Sequence, residues 1–345
     1  MSIHERAASA TLLTPAEVDE ARGGALAILE GLDRTLLGQR ELTRLVLTGC
    51  LARGHVLLEG LPGLGKTELV KALATLLGLR FRRLQFTPDL LPGDITGGHF
   101  LEEDGSGKRA LVFHAGPVFT NVLLADEINR ASPKTQSALL EAMAERRVTV
   151  IGETRVLPDP FFVLATQNPI EIEGTYPLPE AQLDRFLFKV EVGSVDHGTL
   201  EAILVERRGG RPPELQPVAD AAKLAAIFRA VDAVYLPRAV ANWIARLVEA
   251  THPSSPHAPE RVKSFVRHGA SPRGAISIGE AARAHALLAG KPNAGFDDVR
   301  AVAVPALAHR LVLDYRARLD GVSGGDVVRS VLDSIGETAE VLAAR

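Results

Sequence analysis

Gly60-Leu61-Pro62-Gly63-Leu64-Gly65-Lys66-Thr67 reads G-x-x-x-x-G-K-T, a glycine loop whose backbone N–H groups can curl around phosphate oxygens. The stretch ahead of it, His55-Val56-Leu57-Leu58, is a short apolar run that predicts a buried parallel strand. The stretch after it, 68–77, is apolar at helical spacing. Strand, glycine loop and helix together turn the pattern from a string match into a phosphate site, because the helix N-terminus adds its positive dipole end. Lys66 supplies a point charge for the β- and γ-phosphates, and Thr67 a hydroxyl for Mg²⁺. The nucleotide-binding residues predicted here are Gly60, Pro62, Gly63, Leu64, Gly65, Lys66, Thr67 and Glu68.

Downstream, short apolar runs at 55–58, 81–86, 121–125, 161–165 and 186–192 alternate with helical segments. The alternation argues an α/β fold with a parallel sheet covered on both faces. Two stretches interrupt it. Ile95 to Phe113 carries Gly97-Gly98 and a Gly105-Ser106-Gly107 turn signal, and Val148 to Val156 alternates around Ile151-Gly152. Both predict hairpins. Gly209-Gly210-Arg211-Pro212-Pro213 marks a break. Beyond it the chain turns helical, with periodic segments at about 218–231, 236–250, 273–289, 296–312 and 324–343. Arg261 to Ala270 reads as irregular or strand-like. Upstream, Thr14-Pro15-Ala16-Glu17 is a helix start with a cap, a first-position proline and an acid.

Two further strands end in chemistry. Asn121 to Ala125 leads to Asp126-Glu127. Carboxylates at the carboxyl edge of a parallel sheet lie beside the glycine loop. Asp126 can hold Mg²⁺ through water, and Glu127 can polarise an attacking water. Phe161 to Ala165 leads to Thr166-Gln167-Asn168-Pro169. Read alone, Asn168-Pro169 is a turn start; an asparagine there could also orient the water or touch the γ-phosphate. Arg80, Arg82 and Arg83 alternate on one strand-like segment and read as a solvated edge.

Composition bounds the alternatives. The chain has 345 residues, of which 46% are hydrophobic and 23% charged, with a net charge of −3. That is ample for a core and gives no bulk electrostatic case for nucleic acid or an anionic membrane. The single cysteine, Cys50, cannot form an internal disulfide, and no zinc-type ligand spacing occurs. No run of about 18 apolar residues predicts a membrane span. No signal peptide is read, so the expected location is cytoplasmic.

The run from Asp126 to Gln136, Ala165 to Pro169, and Tyr176-Pro177-Leu178-Pro179-Glu180 on to Asp184-Arg185-Phe186 resembles the MoxR family of AAA+ ATPases. Gly269-Ala270-Ser271-Pro272-Arg273 is similar to that family's second sensor. The resemblance covers the chain from about Leu37 onward. It implies a five-stranded parallel sheet with a helical lid, Mg²⁺ and ATP as cofactors, ATP hydrolysis and assembly into a hexameric ring. It also implies a protein client with a von Willebrand factor A domain. Under it, Asn168 is the first sensor, Arg185 an arginine finger and Arg273 the second sensor, beside Glu127 as catalytic base. Leu37-Gly38-Gln39 falls where the family contacts adenine, which adds Gly38 and Gln39 to the nucleotide site. The bland alternative for Arg185 is a surface ion pair with Asp184 or another acid. The implied domains are an N-terminal helical segment at 1–36, an ATPase core at 37–192, a linker at 193–215 and a helical lid at 216–345. A nucleotide-gated scaffold and a magnesium-chelatase-like motor subunit are the competing functions.

Overall fold

The structure is a computed structural model and describes residues 14–60, 65–103, 109–168, 174–207 and 212–337. Contacts group the chain into two units. One comprises Gly31–Val46 and Arg53–Gln216; the other joins the residues up to Glu30, Leu47–Ala52 and the chain from Pro217 on.

The first unit is built on strands β1 (Val56–Gly60), β2 (Phe81–Gln85), β5 (Val122–Asp126), β8 (Phe162–Gln167) and β9 (Phe188–Val192). They form one parallel sheet in the order β2-β5-β8-β1-β9. The expected five-stranded parallel sheet is therefore present, with each strand within two residues of its apolar run. The reason is burial on both faces: Leu57, Leu58, Val122, Leu123, Leu124, Val163 and Leu164 are all inaccessible. The helix Lys66–Leu76 follows β1, and the helix Pro133–Glu145 follows β5.

Both predicted hairpins exist. β3 (Gly97–Glu103) pairs antiparallel with β4 (Arg109–Ala115), and β6 (Arg147–Val150) with β7 (Glu153–Val156). The second turns through Ile151 and Gly152, both at positive φ (50° and 80°), which matches the twist of the flanking strands. The predicted turn residues 104–108 lie outside the described residues. The stretch 193–215 holds a helix, His197–Glu206, whose first turn is capped by Asp196 accepting from the Thr199 N–H at 2.8 Å.

One buried group pins the amino edge of the sheet. His55 is 4% exposed. Its Nδ1 accepts from the Val163 N–H at 3.0 Å, and its Nε2 donates to the Met143 carbonyl at 3.2 Å. Burial, reinforced by nearby Arg146, holds its pKa down at about 3 against an ordinary 6.5. Between those values the unfolded chain takes up a proton that the folded chain refuses. Stability should thus be intact above about pH 6.5 and fall as the pH drops toward 3, by on the order of 4 kcal/mol in all. Urea midpoints measured across that window should slope steeply for the wild type and less for His55→Gln. Equal slopes would show that other groups carry the acid sensitivity.

The second unit is helical. Its main helices are Ala221–Ala233, Arg238–Ala250, Pro272–Leu288, Phe296–Leu307 and Gly324–Ser334. Trp243 is fully buried, its ring edge-on to Phe296 and its Nε1–H donating to the Ile335 carbonyl at 2.9 Å. The stretch 261–270 resolves into a short helix, Glu260–Phe265, and strand β10 (Val266–His268). The helix expected to run to 312 ends at Leu307. A single tight turn follows, and then strand β11 (Val312–Leu313) pairs with β10.

Candidate nucleotide site

The carboxyl ends of β1, β2, β5 and β8 open onto one cleft of about 260 Å³. This is where an open parallel sheet presents its strand ends. Gly60, Gly65, Lys66, Thr67 and Glu68 line it from the glycine-loop side, and Asp126, Glu127 and Asn168 from the neighbouring strands. Arg83, Gln85, Thr166 and Gln167 complete the lining. Leu61, Pro62, Gly63 and Leu64 lie outside the described residues.

Gly65 stands at φ 74°, immediately before the helix Lys66–Leu76, and among the described residues no side chain caps that helix. Its first N–H groups thus keep their donor capacity toward the cleft. A Cβ on Gly65 would meet Leu36 Cδ1 at 2.6 Å, in a conformation glycine alone adopts easily. The Lys66 ammonium donates to the Gly60 carbonyl. Burial pulls it below the usual lysine range, opposed by the negative charges of Asp126, Glu127 and Glu59. A partly desolvated cation facing a cleft is a counterpart for phosphate.

The two acids are held differently. Asp126 Oδ1 accepts from the Thr166 hydroxyl at 2.6 Å, while Oδ2 accepts from Arg83 Nη2 at 2.7 Å and Nε at 3.2 Å. Glu127 sits at φ 57°, ψ 50°, a left-handed conformation in a residue with no preference for it. Its N–H donates to Thr166 Oγ1 at 2.8 Å. One buried hydroxyl therefore donates to the first acid and accepts from the second. The Glu127 carboxylate accepts from Gln85 Nε2 at 2.7 Å and from Arg130 Nη1 at 3.0 Å.

Asn168 follows β8 directly and is buried. Its carbonyl accepts from Asn129 Nδ2 at 3.5 Å. The preceding Gln167 donates to Glu59, which is also paired with Lys189 at 2.9 Å.

The other predicted residues stand elsewhere. Gly38, at φ 71°, packs so closely on Thr199 that a Cβ would lie 2.1 Å from its hydroxyl. Neither Gly38 nor Gln39 borders the cleft, although Leu36, two residues before Gly38, packs on Gly65. Arg185 lines a separate cleft of about 650 Å³ with Ser137, Glu141, Glu145, Arg147 and Gln182, and its Nη1 donates to the Leu140 carbonyl at 2.6 Å. Arg273 is exposed at the start of the helix Pro272–Leu288, in the helical unit. Its N–H donates to the capping Ser271 hydroxyl at 3.2 Å. Sequence reasoning missed Gln85 and took Arg83 for a solvated edge. The signal was their spacing: two residues apart on a strand, they face the same side.

The donor set suits a hard divalent cation. Thr67 and Asp126 offer oxygen. Among the described residues no group of three His, Cys, Asp or Glu side chains could hold a metal by itself. Oxygen donors of this kind suit Mg²⁺, which keeps several waters and is shared with substrate phosphates.

The profile of the ATPase family associated with various cellular activities matches residues 55–188, and that of the AAA lid domain matches 258–331. Chaperone MoxR1 of Mycobacterium tuberculosis is 43% identical over 302 residues, covering 88% of this chain and 79% of its own length. The chain belongs to the MoxR family of AAA+ ATPases. Other relatives span nearly its whole length. The uncharacterised YeaC protein of Bacillus subtilis is 43% identical over 310 residues, covering 89% of this chain and 92% of its own. Protein MoxR of Methylorubrum extorquens is 32% identical over 320 residues, covering 88% and 92%. An ATPase candidate from Cytophaga hutchinsonii, known from its crystal structure, superposes with a TM-score of 0.85 at 35% identity, covering 97% of this chain and 99% of that one. This MoxR-family ATPase thus binds nucleotide and hydrolyses ATP. No helix among its described residues is long and apolar enough to cross a membrane.

Proposed function

We infer that this ATPase is a Mg²⁺-dependent, chaperone-like remodeller or maturation factor for a protein client. The observation that carries the catalytic part is the convergence of Lys66, Thr67, Asp126, Glu127 and Asn168 on one cleft at the sheet edge. In this reading Lys66 and the amides at Gly65 and beyond hold the phosphates. Gly60 and Glu68 border them, and Gly38 and Gln39 stand toward the adenine. Thr67 and Asp126 hold Mg²⁺, which when bound neutralises phosphate charge. Glu127 takes up a proton from the attacking water, and Asn168 keeps that water in line. Arg273 reports on the phosphates from the lid, and Arg185 serves a neighbouring subunit in a hexameric ring. The client is a protein with a von Willebrand factor A domain, in the cytoplasm. The chaperone name of the Mycobacterium tuberculosis relative and the motif resemblance support the client and ring assignments.

Lys66→Ala removes the cation that burial has already stripped of part of its water. Equilibrium binding of labelled ATP in Mg²⁺ should be tight for the wild type and lost in the variant. Equal binding would mean the cleft is not the nucleotide site. Wild-type turnover should also rise when a von Willebrand A-domain protein is added; indifference to every such protein would remove the client assignment.

A further inference from the structure

Glu59 has no part in the roles assigned above, yet its charge reaches the phosphate-binding lysine. It precedes Gly60 on β1, and it acts on Lys66 along with Asp126 and Glu127. Its side chain is only 20% exposed. One carboxylate oxygen, Oε1, accepts from Gln167 Nε2, and the other, Oε2, from Lys189 Nζ at 2.9 Å. Strand register lines the three up. Glu59 pairs across from Gln167 on β8 and from Glu191 on β9. Lys189 lies one pleat back from the exposed Glu191, on the same face. A largely buried polar line thus runs over three adjacent strands, and its Gln167 end borders the nucleotide cleft.

We propose that Glu59 and Lys189 are matched positioning residues for ATP hydrolysis. Glu59 fixes Gln167, and with it the strand end that carries Thr166 and Asn168, while Lys189 cancels a charge that would otherwise repel the terminal phosphate. The idea rests on the nucleotide reading of the cleft.

The end of β8 needs such a tie. Its ladder with β5 closes at Ala165, and its ladder with β1 closes at Gln167. Asn168 therefore stands beyond the last backbone pair on either side, and side-chain bonds must help to place it. The Asn129 amide reaches the Asn168 carbonyl at 3.5 Å, a long bond. The Gln167 bond to Glu59 acts one residue earlier, on the face opposite Thr166 and Asn168. It leaves their face free for Asp126, Glu127 and the attacking water. A carboxylate makes this bond stronger than a neutral acceptor would. The cost is an anion close to a phosphate site, at a position where water screens it poorly. Lys189 removes that cost, because the pair is neutral as seen from the cleft. Gln167 stands next to Asn168, the residue assigned to the water. An uncompensated Glu59 would therefore oppose ATP more than ADP. Both residues of the pair act through neighbours and touch no nucleotide.

The test reads binding and turnover separately. A labelled non-hydrolysable ATP analogue and labelled ADP are titrated in Mg²⁺, and kcat and KM are measured for ATP. Lys189→Met should weaken the analogue about three- to tenfold and ADP about twofold at most. Adding Glu59→Gln to Lys189→Met should return the analogue to within about twofold of wild type, since the uncompensated charge is gone. Glu59→Ala should lower kcat about five- to tenfold, with KM no higher than that of wild type. Glu59→Gln alone keeps an acceptor for Gln167 and should stay within about threefold of the wild-type kcat. An ion pair that merely stabilised the sheet would shift both nucleotides alike and gain nothing in the double variant. Either result would overturn the proposal, and so would a wild-type kcat in Glu59→Ala. If the wild type itself binds neither nucleotide, the nucleotide reading has failed, a result that no variant can mimic. Should Lys189→Met or Glu59→Ala not fold, Lys189→Gln and Glu59→Ser take their places in the same measurements.

Discussion

Arg185→Ala is expected to bind ATP nearly as the wild type does and to hydrolyse it about 10³–10⁵-fold more slowly, the usual contribution of an arginine finger. That loss equals roughly 4–7 kcal/mol of barrier. The geometry makes the effect worth testing. Arg185 and Lys66 belong to the same α/β unit, yet the clefts they line share no described residue. An arginine that served its own cleft would border it. Arg185 instead stands three residues before β9, an edge strand of the sheet. It opens on a polar cleft carrying Glu141, Glu145 and Arg147.

The rival account is structural. The bond from Arg185 to the Leu140 carbonyl could simply tie the segment before β9 to the helix Pro133–Glu145. A bond of that kind contributes about 0.5–1.5 kcal/mol to stability and nothing to the barrier. The two accounts differ by orders of magnitude in turnover. Mixing separates them further. Lys66→Ala subunits lack a working phosphate site but keep Arg185, and Arg185→Ala subunits have the reverse. Where the two kinds meet, one intact cleft can face one intact arginine. Mixed assemblies should recover part of the wild-type rate, and the wild-type rate should itself rise with protein concentration. If mixed rings form and recover nothing, while Arg185→Ala alone turns over at the wild-type rate, Arg185 is a structural arginine.

What the sequence disclosed and what it hid follow one physical line. Strands buried on both faces must be apolar throughout, so the runs at 55–58, 121–125 and 161–165 stood out and the sheet was legible. The order β2-β5-β8-β1-β9 was not, because pairing between β2 and β5 depends on residues some forty positions apart. Everything that depends on that order was hidden with it. Arg83 looked like a solvated edge until β5 placed Asp126 beside it. Gln85 carried no motif, yet it holds Glu127. The helix His197–Glu206 had a readable start in Asp196, but the Gly-Gly-Arg-Pro-Pro break just after it drew the whole stretch into a linker. Acidic Asp126 and Glu127 could be picked out as a pair from their place at the end of an apolar run. Their different handling by Thr166, and the left-handed backbone at Glu127, are tertiary facts.

Glu127→Gln should keep ATP binding and lower turnover about 10²–10⁴-fold, the usual worth of a positioned general base. The substitution changes charge and basicity while keeping volume. It leaves the Glu127 N–H bond to Thr166 in place, and with it the fixed direction of the side chain. It also leaves Asp126 bonded to Thr166 and Arg83, so the cation site should survive. The left-handed backbone at 127, a strain of about 1–3 kcal/mol, is no worse for glutamine than for glutamate. Stability should hence barely move, and a fall in rate cannot be blamed on unfolding. In the structure the carboxylate is engaged by Gln85 and Arg130. A base must be within reach of the water it deprotonates, so these bonds have to loosen before each turnover. Glutamine accepts from both donors less strongly than a carboxylate does, so the variant's side chain should be the freer one. If Glu127 served only to hold Gln85 and Arg130 in place, the amide would weaken that hold and turnover would stay near wild type. If it is the base, the freer but uncharged side chain gives almost no hydrolysis, and bound ATP persists. Single-turnover decay of prebound labelled ATP in wild type and variant distinguishes the two, and a wild-type decay rate in Glu127→Gln would end the assignment of Glu127 as the base.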